Sequence, residues 1–226
     1  MTRPRIGLVH ALHASIAPIE SAFSSLWPEA ETVSLYDQSL YADFNKAGGL
    51  TPEVYRRIES LLRFSAESGA RAILFTGSLF GEPVEAARQR LAVPVLTAYE
   101  AMIEEAFRDN SHPRIGLLAT AAGTADMMSA DIGEYADQHG LGFELDARTI
   151  AGAIDALLWG DREEHDELVL AAAADLTDCD VLMLAQFSMA PIAERVPEVA
   201  GRRVLTSPGS AVAKLKRLLG DEREGL

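Results

Sequence analysis

Two short segments of this 226-residue chain carry the side chains best suited to gripping a small anion. The first is "TGSLFG", beginning at Thr76. The hydroxyls of Thr76 and Ser78 flank Gly77, which lets the backbone bend, and a helix whose first N–H groups lack partners follows Leu79. Such a corner can form a nest for a carboxylate or enolate oxygen. It also reads as a plain strand-to-helix turn whose serine caps the helix. The second segment is "LAQFSMAP". Gln186 and Ser188, on either side of Phe187, can donate or accept hydrogen bonds to a ligand, or Gln186 can simply pin a loop. "ATAAGT" adds Thr120 and Thr124, one of which is expected to cap a helix while touching the same anion. His10, with His13 behind it, and Glu100, beside Tyr99, are the candidate proton carriers. Asp37, Gln38 and Ser39 read first as a turn and second as a specificity loop. His165, in "GDREEHDE", reads as a structural residue of a charged first helical turn. The single cysteine, Cys179, precedes its strand at the end away from these corners, and a strand of six residues spans ~20 Å, so it is rejected as a nucleophile or base.

The elements that must position these residues alternate between short apolar runs and helical patterns, as parallel βαβ units do. Strands are expected near 5–10, 31–36, 71–76 and 93–97, then 114–119, 141–146, 180–185 and 203–206. Helices are expected near 15–26, 52–68, 83–91, 99–108, 124–139, 150–158, 161–177, 189–197 and 208–219. The chain also repeats itself. "RIGLVHA" at Arg5 returns as "RIGLLAT" at Arg114, "AILFTGS" at Ala72 as "VLMLAQF" at Val181, and "PVLT" at Pro94 as "RVLT" at Arg203. All three shifts are 109 residues, which marks a duplicated α/β unit. The expected fold is two pseudosymmetric three-layer α/β/α domains with parallel four-stranded sheets, 1–98 plus 208–226 and 99–207. Ligands of parallel sheets lie beyond the carboxyl ends of the strands, so the expected site is the cleft between the halves.

Composition narrows the partners. Twenty Lys and Arg against thirty-four Asp and Glu leave a formal charge of −14, which disfavours nucleic acid and anionic membrane surfaces. Hydrophobic residues make up 48% of the chain without a run long enough to span a bilayer, and the amino-terminal stretch has no signal-peptide pattern. A cytoplasmic globule is expected. With one cysteine, neither an intrachain disulfide nor a cysteine-based metal cluster can form.

Taken in order, "RIGLVHA", "ILFTGSLFGEPVEAA", "VPVLTAYEAM", "RIGLLAT", "GDREEHD", "LAQFSMA" and "VLTSP" resemble the Asp/Glu/hydantoin racemase superfamily over nearly the whole chain. The resemblance implies racemases and epimerases of amino acids or hydantoins, maleate isomerases and arylmalonate decarboxylases. It implies no metal or organic cofactor, a possible homo-oligomer, and chemistry through a carbanion or enolate beside a carboxylate. Thiols on opposite faces move the protons in such enzymes. Here the first family cysteine falls at Gly77 and the second at Gln186, so a two-thiol mechanism is impossible.

Two readings follow. One is an enzyme in which Thr76, Ser78, Thr120 and Ser188 hold the acid, while His10, Glu100 or a water replaces the thiol. The other is a protein that kept the carboxylate site and lost the chemistry, whether by natural divergence or by engineering at Gly77. A flavodoxin-like nucleotide site lacks its GxGxxG or P-loop lysine.

Overall fold

The apolar runs at Arg5 and Ala72 become the two central strands of a sheet, because both of their faces are covered. In the computed structural model, which describes residues 3–121, 123–199 and 201–221, the chain divides into two units. The first comprises Met1–Glu100 and Ala211–Leu226, the second Ala101–Ser210. Of the expected first domain, residues 1–2 and 222–226 lie outside the described residues.

In the first unit β1 (Arg5–His10), β2 (Glu31–Tyr36), β3 (Ala72–Phe75) and β4 (Val95–Leu96) form one parallel sheet in the order β2-β1-β3-β4. A 3-10 turn at His13–Ser15 leads into α1 (Ile16–Leu26), followed by α2 (Ser39–Ala47) and α3 (Pro52–Glu67). A second 3-10 turn, Ser78–Phe80, leads into α4 (Gly81–Arg88). The start of α3 follows from its sequence: the Thr51 hydroxyl accepts from the Val54 N–H, and Pro52 sits where no N–H is needed. Its Val54, Ile58 and Leu62, one turn apart, turn inward. Gly7 is what lets α3 lie this close, since a Cβ there would fall 1.9 Å from Ser65 Oγ.

The second unit repeats the plan with α5 (Glu100–Ala106), β5 (Arg114–Ala119), α6 (Thr124–His139), β6 (Glu144–Thr149), α7 (Ala153–Trp159), α8 (Arg162–Asp175), β7 (Val181–Leu184) and β8 (Arg203–Thr206). The sheet order is β6-β5-β7-β8, again parallel. α9 (Ser207–Asp221) follows. The 109-residue shift survives as strand register: Ile6 pairs with Ala72 as Ile115 does with Val181, and Ile73 with Val95 as Leu182 does with Val204.

Three expectations are corrected. The edge strand expected at 141–146 lies at Glu144–Thr149, because α6 runs one turn further than the shifted end of α1. Where a helix is expected at 189–197, a 3-10 helix spans Phe187–Arg195, and Pro191 inside it has no N–H for an α-helical bond. Neither Thr120 nor Thr124 caps α6. That position is Gly123, at φ 80°, a left-handed conformation that glycine adopts without penalty.

Candidate functional site

At the carboxyl end of the first sheet, β1 delivers His10 and β3 delivers Thr76 to the same polar knot. His10 is fully buried. Its Nδ1 lies 2.9 Å from Thr76 Oγ1 and 3.2 Å from Ser15 Oγ, and its Nε2 lies 3.2 Å from Ser34 Oγ. The two hydroxyls are 2.8 Å apart, and Ser15 donates to the Leu12 carbonyl at 2.7 Å. Burial, reinforced by nearby His13, pushes the His10 imidazole down to about 4, so it is neutral at pH 7. With both nitrogens bonded inside the protein, His10 acts as a hub that aims Thr76 inward rather than as an exposed base.

Gly77 follows in extended backbone, φ −97° and ψ 109°. A Cβ there would stand 2.7 Å from Phe80 Cδ2, 2.8 Å from Phe75 Cε1 and 3.3 Å from Ala11 Cβ. The rings of Phe75 and Phe80 meet edge to face at 5.7 Å, and Phe44 of α2 braces Phe80 at 5.6 Å. Aromatic edges thus occupy the place of a side chain at residue 77. Ser78 begins the 3-10 turn, half-buried, and Leu79 is buried beside it.

The other first-unit candidates are bound elsewhere. Glu100 Oε1 accepts from Lys214 Nζ at 2.8 Å. Its Oε2 accepts from Arg88 Nη1 at 2.6 Å and from the Thr97 N–H and hydroxyl at 3.1 and 3.2 Å. Burial alone would raise this carboxyl, but Lys214, the Thr97 N–H and Arg88 outweigh it and hold it below the ordinary carboxylate range. An anion so fully engaged is a poor proton acceptor. Asp37 accepts from the Ser39 N–H at 3.0 Å and its hydroxyl at 2.8 Å, and pairs with Arg57 at 2.5 Å. The turn read at Asp37–Ser39 is therefore the start of α2, stapled to α3.

The second sheet ends differently. By the repeat, Thr120 stands where the first unit has Ala11, and Gln186 where it has Gly77. Gln186 Oε1 accepts from the Thr120 N–H at 2.8 Å. Phe187 and Ser188 are buried just beyond. Thr124 is buried in the first turn of α6. The first turn of α8 reaches this corner: Arg162 Nη2 donates to the Ser188 carbonyl at 2.9 Å, and its Nε lies 3.2 Å from Asp166 Oδ1. His165, fully buried, sets Nδ1 2.8 Å from the same oxygen.

The structure therefore joins His10 to Thr76 in one unit and Thr120 to Gln186 in the other. Glu100, Asp37 and Ser39 are held in separate ion-pair clusters. Missed from the sequence were Ser15 and Ser34, which bracket His10, and Arg162, which grips the Ser188 loop. A signal for Arg162 existed: Asp161 caps α8, its side chain accepting from the Glu164 N–H at 3.0 Å, and a helix that feeds a parallel strand starts at the carboxyl end of the sheet. Cys179 is buried before β7, its thiol 3.4 Å from the Leu176 carbonyl and pushed up by burial. Among the described residues no cluster of three or more His, Cys, Asp or Glu could hold a metal, and no helix is long and apolar enough to cross a membrane.

The family model for Asp/Glu/Hydantoin racemase matches residues 18–215. The chain belongs to this family. Solved structures of similar fold include glutamate racemase from Thermus thermophilus in complex with beta-chloro-D-alanine, with a TM-score of 0.68 at 19% identity over 98% of this chain and 82% of that one. Allantoin racemase from Klebsiella pneumoniae gives 0.62 at 18% identity, covering 96% and 88%. A liganded arylmalonate decarboxylase, a double mutant with cysteine in place of a glycine and serine in place of a cysteine, gives 0.61 at 21% identity, covering 96% and 93%. No curated protein matches the chain in sequence.

Proposed function

We propose that this family member acts on a small carboxylic acid or hydantoin-like ligand by isomerase or lyase chemistry through an enolate or carbanion, without thiols at Gly77 and Gln186. The observation that carries the reading is the second-unit corner. There Thr120 Oγ1 and Gln186 Nε2 are buried and lack hydrogen-bond partners, next to buried Ser188. Buried donors cost roughly 1–3 kcal/mol each when unpaired, and an acid oxygen would satisfy them. Donors fixed in a water-poor site also stabilise the charge that develops as an enolate forms. The glutamate racemase of similar fold that was solved in complex with beta-chloro-D-alanine supports the same ligand class.

One observation favours the second reading, a binding protein without turnover. Phe75 and Phe80 fill the space a side chain at residue 77 would need. A single experiment separates the two. The protein is incubated in deuterated water with D- and L-glutamate, D- and L-aspartate, allantoin and phenylmalonate, and α-deuteration, stereochemistry and released carbon dioxide are followed. Exchange or decarboxylation of at least one acid is expected, and calorimetric binding without either reaction would establish the binding protein.

A further inference from the structure

Among the described residues, five buried side-chain polar atoms have no hydrogen-bond partner: Arg5 Nε, Thr120 Oγ1, His165 Nε2, Gln186 Nε2 and Arg202 Nε. Arg5 and Arg202 lie at the amino ends of β1 and β8. The other three share one end of one sheet. Thr120 follows β5 and Gln186 follows β7, and both strands are parallel. His165 lies in the first turn of α8, the helix that returns the chain to the start of β7, and the Arg162–Ser188 contact ties that turn to the loop after Gln186.

The chemistry of the three atoms is complementary rather than redundant. A carboxylate only accepts, so Asp166 Oδ1, 2.8 Å away, fixes the imidazole proton on Nδ1 of His165. Arg162 and Arg195 hold that carboxylate from two further sides. Burial lowers the His165 pKa, Arg162 adds to the lowering, and Asp166 offsets only part of it, so Nε2 is left with a bare lone pair. Gln186 Nε2 and the Thr120 hydroxyl, by contrast, can donate.

We propose that these atoms form a ligand subsite in which His165 Nε2 accepts a hydrogen from the ligand while Gln186 Nε2 and Thr120 Oγ1 donate to its oxygens. The inference deepens the small-carboxylate reading and rests on it. Its ligand carries an O–H or N–H beside a carbonyl or carboxylate oxygen, as 2-hydroxy acids, 2-amino acids and amides do. A fully ionised dicarboxylate offers no such hydrogen. Sequence patterning assigns His165 a structural role, and only its unused nitrogen argues otherwise.

The test is nitrogen NMR of protein labelled at the histidine rings, with the His165 signals identified by their loss in His165→Gln. Glycolate, L-glutamate and acetamide are titrated at neutral pH, with malonate as the donor-free comparison, and affinities are measured in parallel by calorimetry. A saturable shift of the His165 Nε2 resonance is expected with the donor-bearing ligands and not with malonate. Gln186→Glu keeps an oxygen for the Thr120 N–H but places a negative charge where the amide donated. It should weaken the acids roughly tenfold, the equivalent of one charge-assisted hydrogen bond. If acids bind and His165 stays silent, the subsite falls and the carboxylate reading stands. If no acid binds but acetamide moves His165, the carboxylate reading falls alone. An equal response to malonate overturns the donor requirement, and silence toward every probe overturns the subsite.

Discussion

Gly77 poses the sharpest question at the scale of a single residue. Its missing side chain is matched by two phenyl edges that a Cβ would strike at 2.7 and 2.8 Å, both rings being essentially fully buried. Installing a thiol is therefore an overpacking mutation. Gly77→Cys should lower stability by about 1–3 kcal/mol in urea titration. Trimming the ring with Phe80→Leu in the same chain should make the two changes couple by at least ~0.5 kcal/mol in a double-mutant cycle. His10 gives a second prediction. Its folded pKa of about 4 lies below its ordinary 6.5, so the unfolded chain binds the proton more tightly. The stability tied to a neutral His10 is complete above pH 6.5 and drains as pH falls toward 4, by up to roughly 1.4 kcal/mol per pH unit. His10→Gln should flatten the loss seen between pH 7.5 and 5.5, measured as the change in unfolding free energy. The sequence marked His10, Thr76, Thr120 and Gln186 as corner residues, since each follows an apolar strand. It could not say whether an imidazole nitrogen is spent or spare. That depends on Ser15, Ser34 and Asp166, hydroxyls and a carboxylate with no pattern of their own.

Among the elements, those defined by periodic burial were legible and those defined by one local bond were not. β1, β2, β5 and β8 fall where their apolar runs place them, and α3 and α6 within a residue of their expected ends. α2 escaped because Asp37 and Ser39 give the same signal for a turn and for a helix start, and the short helix beyond buries only Leu40. Glu100 was read from the sequence as a proton carrier and not as a clamp, because its partner Lys214 is 114 residues away. Removing its charge takes a carboxylate away from a lysine side chain that is only 15% exposed. Glu100→Gln should cost about 1–3 kcal/mol by thermal or urea unfolding, less than a fully buried pair because water reaches both groups. Glu100→Gln with Lys214→Met should cost less than the two single changes together. The lowered pKa of Glu100 means that this contribution is present above the ordinary carboxylate range and fades as pH drops through the folded value.

For the molecule as a whole, duplication explains most of what could be read in advance. One offset predicts two sheets of the same order and, at Ile6–Ala72 and Ile115–Val181, the same register. It fails where one copy has gained a helical turn and where the counterpart of α4 is the 3-10 helix Phe187–Arg195. The copies have meanwhile divided their polar chemistry. The first encloses a satisfied imidazole and hydroxyl knot, and the second keeps donors and an acceptor without partners. That asymmetry is invisible to the repeat, since His10 aligns with Ala119 and Gln186 with Gly77.

The first unit is not contiguous, since it is completed by the segment from Ala211 onward. Val212, Leu215 and Leu219 of α9 are buried, and Lys216 donates to the Leu26 carbonyl at 2.9 Å. During synthesis the ribosome therefore releases the amino-terminal strands about a hundred residues before the helix that finishes their core. The unit made second, Ala101–Ser210, is the one whose parts all emerge together. The first sheet is therefore made well before Val212, Leu215 and Leu219 are available to cover its core.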